Sequence, residues 1–202
     1  TKRQPGDEGM GGITIKSIPD DLEWVIEEKV DGANSGFQFN NDLNLEINSR
    51  GHFLSQDRNA PREDDWKLLK DYLRYYEDLF LNRFEDKYHI YGEWMNIVHS
   101  VFYDNLPHYF LEFDIKDKSN GQFLSTDARH ELCTGLPIFS VPVIYRGPKI
   151  DLKTIQQLAS QPSAFQSHKQ DGSPDWHKDL EKACGFVNDN YEERLKKMVP
   201  TT

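Results

Sequence analysis

Cysteine is scarce: the 202 residues hold two, Cys133 and Cys184, in no C-x-x-C or zinc-like spacing. That argues against a disulfide framework and for reduced thiols in a cytoplasmic protein. Long apolar runs are missing too. No window approaches the roughly 20 apolar residues that span a bilayer, so no membrane partner is expected. The segment Thr1 to Gly12 is polar and glycine-rich and does not read as a signal peptide. Basic charge is also short: 24 Lys and Arg stand against 34 Asp and Glu, a net charge of -10. Proteins that coat nucleic acid without specificity carry the opposite balance, although a local basic groove remains compatible with this composition. Internal repeats and low-complexity tracts are absent.

What is present fits one domain, with room for a small appendage. Residues 1–20 read as a lead-in and residues 21–202 as the domain proper. Leu22, Trp24 and Ile26 alternate with polar neighbours, a strand pattern. Phe37 and Phe39 lead into Asn40-Asn41-Asp42, a turn cluster, and Leu43, Leu45 and Ile47 then fall on one strand face. Pro61 suits the first residue of a helix. Helical spacing through Trp66, Leu69, Leu73, Tyr76 and Phe80 predicts one long amphipathic helix over 62–82. Strands are expected at 88–94, 108–115 and 139–145, the last interrupted by Pro142 and so an edge or a bulge. Short helices are expected after a Ser125 or Thr126 cap, over 151–159, over 176–184 and over 191–198. The pattern is α+β: antiparallel sheets with flanking helices.

The sharpest local signal is Glu28-Lys29-Val30-Asp31-Gly32-Ala33-Asn34 at a strand end. A lysine amine has a reference pKa of about 10.4 and is mostly protonated at neutral pH. As a nucleophile it must be free, a state favoured by nearby cations or by desolvation. Gly32 permits a tight turn that brings backbone close to a ligand. Asn34 offers a donor and an acceptor to a ribose hydroxyl. Asp31 could support the site or pair with a neighbouring arginine. An isolated K-x-D-G string is more often a surface lysine beside a turn. Here three further elements follow it. Asn48-Ser49-Arg50-Gly51 supplies a planar guanidinium suited to phosphate or ribose, expected on the polar face of the next strand. Tyr91-Gly92-Glu93-Trp94 puts a carboxylate in an apolar strand, able to accept ribose hydroxyls or hold a metal. Phe113-Asp114 offers an aromatic that could stack on a purine. Each alone has a plainer reading: an exposed strand Arg, a surface ion pair worth little, a core Phe. The histidines, including His99, His108 and His168, show no metal spacing and read as surface or packing residues.

The order K-x-D-G, S-R-G, Y-G-E and F-D, over roughly residues 25 to 145, resembles that of the covalent nucleotidyltransferases. Asn34, five residues after Lys29, and Phe113, twenty after Glu93, are similar to RNA ligases more than to DNA ligases or capping enzymes. The stretch YGEWMNIVHSVFYDNLPHYFLEFDIKDK, followed by FLST, resembles bacterial and phage proteins with an ATP-dependent RNA ligase domain. The resemblance implies an ATP-grasp-like nucleotidyltransferase (adenylation) domain. It implies ATP with Mg²⁺ or Mn²⁺ as cofactors, and RNA with 5′-phosphate and 3′-hydroxyl ends as the partner. Carried over position by position, Lys29 forms a lysyl-AMP, Glu28 lies beside the adenine, and Asn34 and Arg50 contact ribose or phosphate. Glu93 then binds the ribose and Phe113 stacks on adenine, in a pocket expected between the sheets carrying Lys29 and Phe113. The family pattern continues with an E-G-x-V/I-x-K strand and a K-x-K strand. Neither is found here, since Lys196-Lys197-Met198 lacks the preceding E-G, so the domain is expected to lack its last strands. The alternatives are a degenerate nucleotide-binding adaptor of the same fold, or a DNA ligase or capping-type nucleotidyltransferase.

Overall fold

The first strand pattern forms β1 (Trp24–Glu27), and the chain then reaches β2 (Ala33–Phe39) through the loop that holds Lys29. This is a computed structural model; it describes residues 15–169 together with 177, 179–182 and 193. In β2, Ser35, Phe37 and Phe39 are buried while Asn34 and Gln38 are half-buried, the period-two signature of a sheet with one core face. The turn to β3 (Leu45–Ser49) is closed by Asn40, whose Oδ1 accepts from the Asp42 and Asn44 amides at 3.0 Å each. β3 buries Leu45, Ile47 and Ser49 and turns Glu46 and Asn48 to the other face. A two-residue turn at Arg50-Gly51 leads to β4 (His52–Phe53), with Gly51 at φ 85°, a region that favours glycine.

The long helix expected over 62–82 is instead three pieces. Arg62 sits at φ 68°, outside any right-handed helix, so Pro61 cannot open one. A 3₁₀ turn, Asp64–Trp66, precedes α1 (Lys67–Tyr75). Tyr76, at φ -105° and ψ 13°, steps out of helical geometry before α2 (Glu77–Phe84). Tyr72, Tyr76 and Phe80 carry ring contacts across the break, at 5.5 and 5.9 Å. Lys70 of α1 is fully buried. Its Nζ donates to Glu63 Oε2 at 2.5 Å and to the Asp57 carbonyl at 2.7 Å.

The remaining strands are β5 (Tyr88–Trp94), β6 (Phe110–Asp117) and β7 (Gln122–Phe123). Ser125 caps α3 (Thr126–Cys133), accepting from the Ala128 amide at 3.3 Å. The strand expected over 139–145 is two, β8 (Phe139–Ser140) and β9 (Val143–Gly147). Between them Pro142 cannot donate to a ladder, and the chain changes partner from β6 to β1. Asp151 caps α4 (Leu152–Ala159). Residues 177 and 179–182 are helical; the rest of 176–184, Cys184 included, and all of 191–198 but Glu193 lie outside the described residues.

Two units result. The first comprises residues 1–28 and 143–161, with the antiparallel pair β1–β9 and α4. It contains a mainly apolar recess of about 870 Å³ lined by Ile15, Pro148, Ile150 and Leu152, with Lys149 bound to Asp20 at 2.7 Å. None of the predicted site residues lines it. The second comprises residues 29–142 and 162–202, built on a seven-stranded sheet of order β4-β3-β2-β5-β6-β7 with β8 parallel to β6. Every other pairing in it is antiparallel. On one sheet face Phe37 meets Phe80, Phe84 and Phe110 at 5.2 to 5.9 Å, with Leu69 and Leu73 of α1 fully buried in the same cluster. The opposite face is polar. The architecture is α+β, as the sequence pattern predicts. Among the described residues no helix is long and apolar enough to cross a membrane.

Candidate functional site

Of the predicted residues, Asn34, Glu93 and Phe113 lie on strands of the seven-stranded sheet, and Lys29, Asp31 and Gly32 in the loop that leads into it. Lys29 follows β1 by two positions and is exposed, whereas the next residue, Val30, is buried among Met95, Leu111 and Val141. A buried valine beside an exposed lysine anchors the loop and leaves the amine free to meet a ligand. Gly32 is held by its amide, which donates to Glu93 Oε1 at 3.3 Å. Asn34 then pairs with Glu93 across β2 and β5. Ser49 pairs with Ser35 at the end of β3, and Arg50 is the next residue, in the turn. Asn34 and Glu93 therefore share one row of the sheet, with the Lys29 loop feeding into it. Arg50 lies in the turn after β3 and is exposed, rather than within a strand as the sequence suggested.

Phe113 reaches the same face through a bulge. Tyr91 pairs with Asp114 and Gly92 with Glu112, which leaves Phe113 as the extra residue on β6. A bulge re-aims side chains next to functional sites. Phe113 is half-buried against the cluster of Val30, Met95, Leu111 and Val141. Lys29 and Phe113 thus belong to one sheet and its leading loop, not to two facing sheets. Glu28 ends the first unit, while every other predicted residue belongs to the second.

Two expectations for this loop change. The need for glycine at position 32 is steric: a Cβ there would lie 2.7 Å from the Trp94 carbonyl oxygen and 2.8 Å from Met95 Sδ. Gly32→Ala is therefore expected to destabilise the fold by about 1–3 kcal/mol, as overpacking does, and to displace the Lys29 loop. Denaturant unfolding checks the first effect. Asp31, in turn, is bound by Ser100 rather than by an arginine. Its carboxylate accepts from the Ser100 amide at 2.8 Å and from the Ser100 hydroxyl, and its own amide donates to Tyr103 Oη at 2.9 Å. These contacts pin the irregular segment after β5 onto the Lys29 loop. Sequence reasoning missed Ser100 and Tyr103, although both lie in the aromatic-rich stretch that follows Y-G-E.

Burial raises the affinity of the half-buried Glu93 carboxylate for protons, and Asp31 adds to the effect; the Gly32 amide, Lys29 and His99 oppose it. Lys29 and His99 thus both act on Glu93 electrostatically. His99 and His168 are exposed, and His108 packs between Tyr72 and Phe139, in keeping with surface and packing roles. The sign of the linkage follows from the raised value. The native state holds the Glu93 proton more tightly than the unfolded chain, so charged Glu93 costs stability as pH rises through the unfolded and then the folded pKa. Glu93→Gln keeps an acceptor for Gly32 and is expected to stabilise the fold at neutral pH. The gain should vanish below the ordinary glutamate value of about 4.3. Unfolding at both pH values checks this; equal gains at both would contradict it.

Among the described residues no group of three or more His, Cys, Asp or Glu side chains is placed to hold a metal ion. At this site the Asp31 carboxylate accepts from Ser100 and Glu93 Oε1 accepts from the Gly32 amide. That donor set suits a cation carried largely by phosphate and water rather than by a protein cage.

The family model described as RNA ligase matches residues 22–194. A lysine-to-alanine variant of the Naegleria gruberi RNA ligase, solved with ATP and Mn, superposes with a TM-score of 0.53 at 18% identity, covering 74% of this chain and 44% of that one. An apo aspartate-to-alanine variant of the same ligase gives a TM-score of 0.55 at 16% identity over the same shares. A glutamate-to-alanine variant with AMP and Mn gives 0.51 at 18% identity, again over 74% and 44%. The chain therefore spans under half the length of these structures, and at such identity the likeness is one of fold. Among proteins of curated function, none matches significantly.

Proposed function

We propose, because this chain belongs to the RNA ligase family, that residues 21–202 form a nucleotidyltransferase domain in which Lys29 takes AMP from ATP. The observation that supports this most is the pairing of Asn34 with Glu93 beside the Lys29 loop, which the Gly32–Glu93 hydrogen bond holds to it. Residues 61 positions apart in sequence meet at the Gly32–Glu93 hydrogen bond. A chance K-x-D-G string would have no reason to face the Y-G-E glutamate.

The reaction is a displacement at phosphorus. The neutral Lys29 amine attacks the ATP α-phosphorus, a nitrogen–phosphorus bond forms, the bond to the bridging oxygen breaks, and pyrophosphate leaves. The attacking nitrogen gives up a proton to solvent, leaving a phosphoramidate with a neutral nitrogen and one negative charge on its phosphoryl oxygens. Such transfers depend on positioning and charge stabilisation more than on covalent help. Val30, buried, holds the nucleophile in place. Asn34 and Glu93 offer hydrogen bonds to the ribose, Arg50 its guanidinium to ribose or phosphate, and Phe113 a face for the adenine. Asp31 and Gly32 hold the loop that presents Lys29. Mg²⁺ or Mn²⁺, when bound with ATP, would supply positive charge to the polyphosphate, and Glu93 is the carboxylate of this site that would help to hold it. In later steps AMP passes to an RNA 5′-phosphate and a 3′-hydroxyl seals the strand.

The test is an intact-mass spectrum before and after ATP with Mg²⁺, wild type beside Lys29→Ala. A gain of one AMP in wild type alone supports the reading. Binding of ATP without an adduct would favour a nucleotide-binding adaptor on the same fold, and labelling by GTP would favour a capping-type enzyme.

A further inference from the structure

One row away from Asn34 and Glu93, the same sheet face carries a side-chain bridge that the nucleotide site does not use. Gly36 of β2 pairs with Asn48 of β3 on one side and with Tyr91 of β5 on the other. Having no side chain, Gly36 leaves a gap over the middle strand. Asn48 and His89 meet across it, with Asn48 Oδ1 2.8 Å from His89 Nε2. A Cβ on Gly36 would fall 2.9 Å from that same Oδ1 and 2.6 Å from the Ile90 carbonyl. On its other side, His89 Nδ1 lies 2.9 Å from the Tyr91 hydroxyl, and the two rings stack with centroids 4.1 Å apart.

The chemistry fixes the proton. Asn48 Oδ1 can only accept, and its Nδ2 is turned to the Ser49 carbonyl at 3.3 Å. His89 therefore donates through Nε2–H, and in the neutral ring Nδ1 accepts from the Tyr91 hydroxyl. Burial, followed by Lys118 and Lys116, pushes His89 down to about 4, with Glu46 opposing. Burial and Asp114 push the Tyr91 phenol up, so it stays a donor. His89 is thus a neutral imidazole in one tautomer, bonded at both nitrogens.

The two strands it ties are the ones that matter: Asn48 precedes Arg50 by two residues, and Tyr91 precedes Glu93 by two. We propose that His89 is a positioning residue that braces β3 to β5 across the gap at Gly36 and so sets Arg50 against Glu93 for nucleotide binding. Its purpose rests on the nucleotidyl-transfer reading; its geometry does not.

The experiment compares His89→Gln and His89→Leu with wild type, all as the full chain. Glutamine can accept from Tyr91 and donate to Asn48, whereas leucine fills the space and does neither. Imidazole nitrogen shifts in wild type should report neutral Nε2–H His89 across pH 5 to 8, as expected for a ring far below the usual value of about 6.5. The Leu variant should lose about 10-fold in kcat/KM for adenylation, the scale of a small misplacement, while Gln stays near wild type and both melt together. A ring titrating near its ordinary value, a Leu variant as active as wild type, or a Gln variant as impaired as Leu would each overturn the proposal. If wild type forms no adenylate, the ligase reading fails. The ring's tautomer and the Gln-against-Leu ATP affinities by calorimetry then judge the brace on their own.

Discussion

Lys29→Ala is expected to abolish adenylate formation, with a loss on the order of 10⁴-fold or more, the scale seen when a covalent nucleophile is removed. No other lysine can stand in, because the position is set by backbone: Val30 is buried on one side of the loop and Gly32 is bonded to Glu93 on the other. Stability should change by less than about 0.5 kcal/mol, since Lys29 is exposed. Lys29→Arg should be equally inactive: guanidinium keeps the charge and cannot be deprotonated to attack. The pair separates chemistry from electrostatics. The alanine variant also removes a cation that acts on Glu93, so the Glu93 carboxyl should hold its proton more tightly still, whereas the arginine variant should leave it nearly unchanged. Intact mass reads the first effect and carboxyl titration by NMR the second. An adduct retained by Lys29→Ala would end the assignment of the nucleophile.

Much of this site was legible from sequence because strands expose a period of two. Glu93 lies between buried Gly92 and Trp94 and Asn34 precedes buried Ser35, so their common face follows from pattern, and strand β5 was predicted at its observed limits; Arg50, expected on a strand, lies in a turn. Phe113 was legible as an aromatic but not as a bulge: a register shift between Tyr91 and Gly92 leaves no mark in hydrophobic period. The helix over 62–82 failed for the opposite reason. Its apolar spacing persists through Tyr76, where the backbone departs from helical angles, and at Arg62 the left-handed φ overrides the proline signal. Asp31 shows the limit most clearly. Ser100, its partner, lies 69 positions away in irregular chain, where no periodicity operates.

The largest stability effect is expected at a pair that touches no substrate. Arg129 of α3 and Glu112 of β6 are 2% and 0% exposed, with Nη1 to Oε1 at 2.6 Å. Glu112 Oε2 also accepts from the Ser140 hydroxyl at 2.7 Å, so one carboxylate joins helix α3, strand β6 and strand β8. Removing one member strands a charge: Arg129→Met should cost about 3–5 kcal/mol, the usual result of breaking a buried pair. Replacing both, with Glu112→Gln and Arg129→Met, restores a neutral interior. The amide oxygen that Glu112→Gln introduces can still accept from the Ser140 hydroxyl, so the double variant should recover most of the loss. A double-mutant cycle in denaturant measures the coupling, and two independent losses that simply add would refute it. The site enters because Glu112 is the neighbour of Phe113 at the bulge. A displaced Glu112 would carry the aromatic with it, so Arg129→Met should weaken ATP binding while folded, and the double variant should restore stability and affinity together.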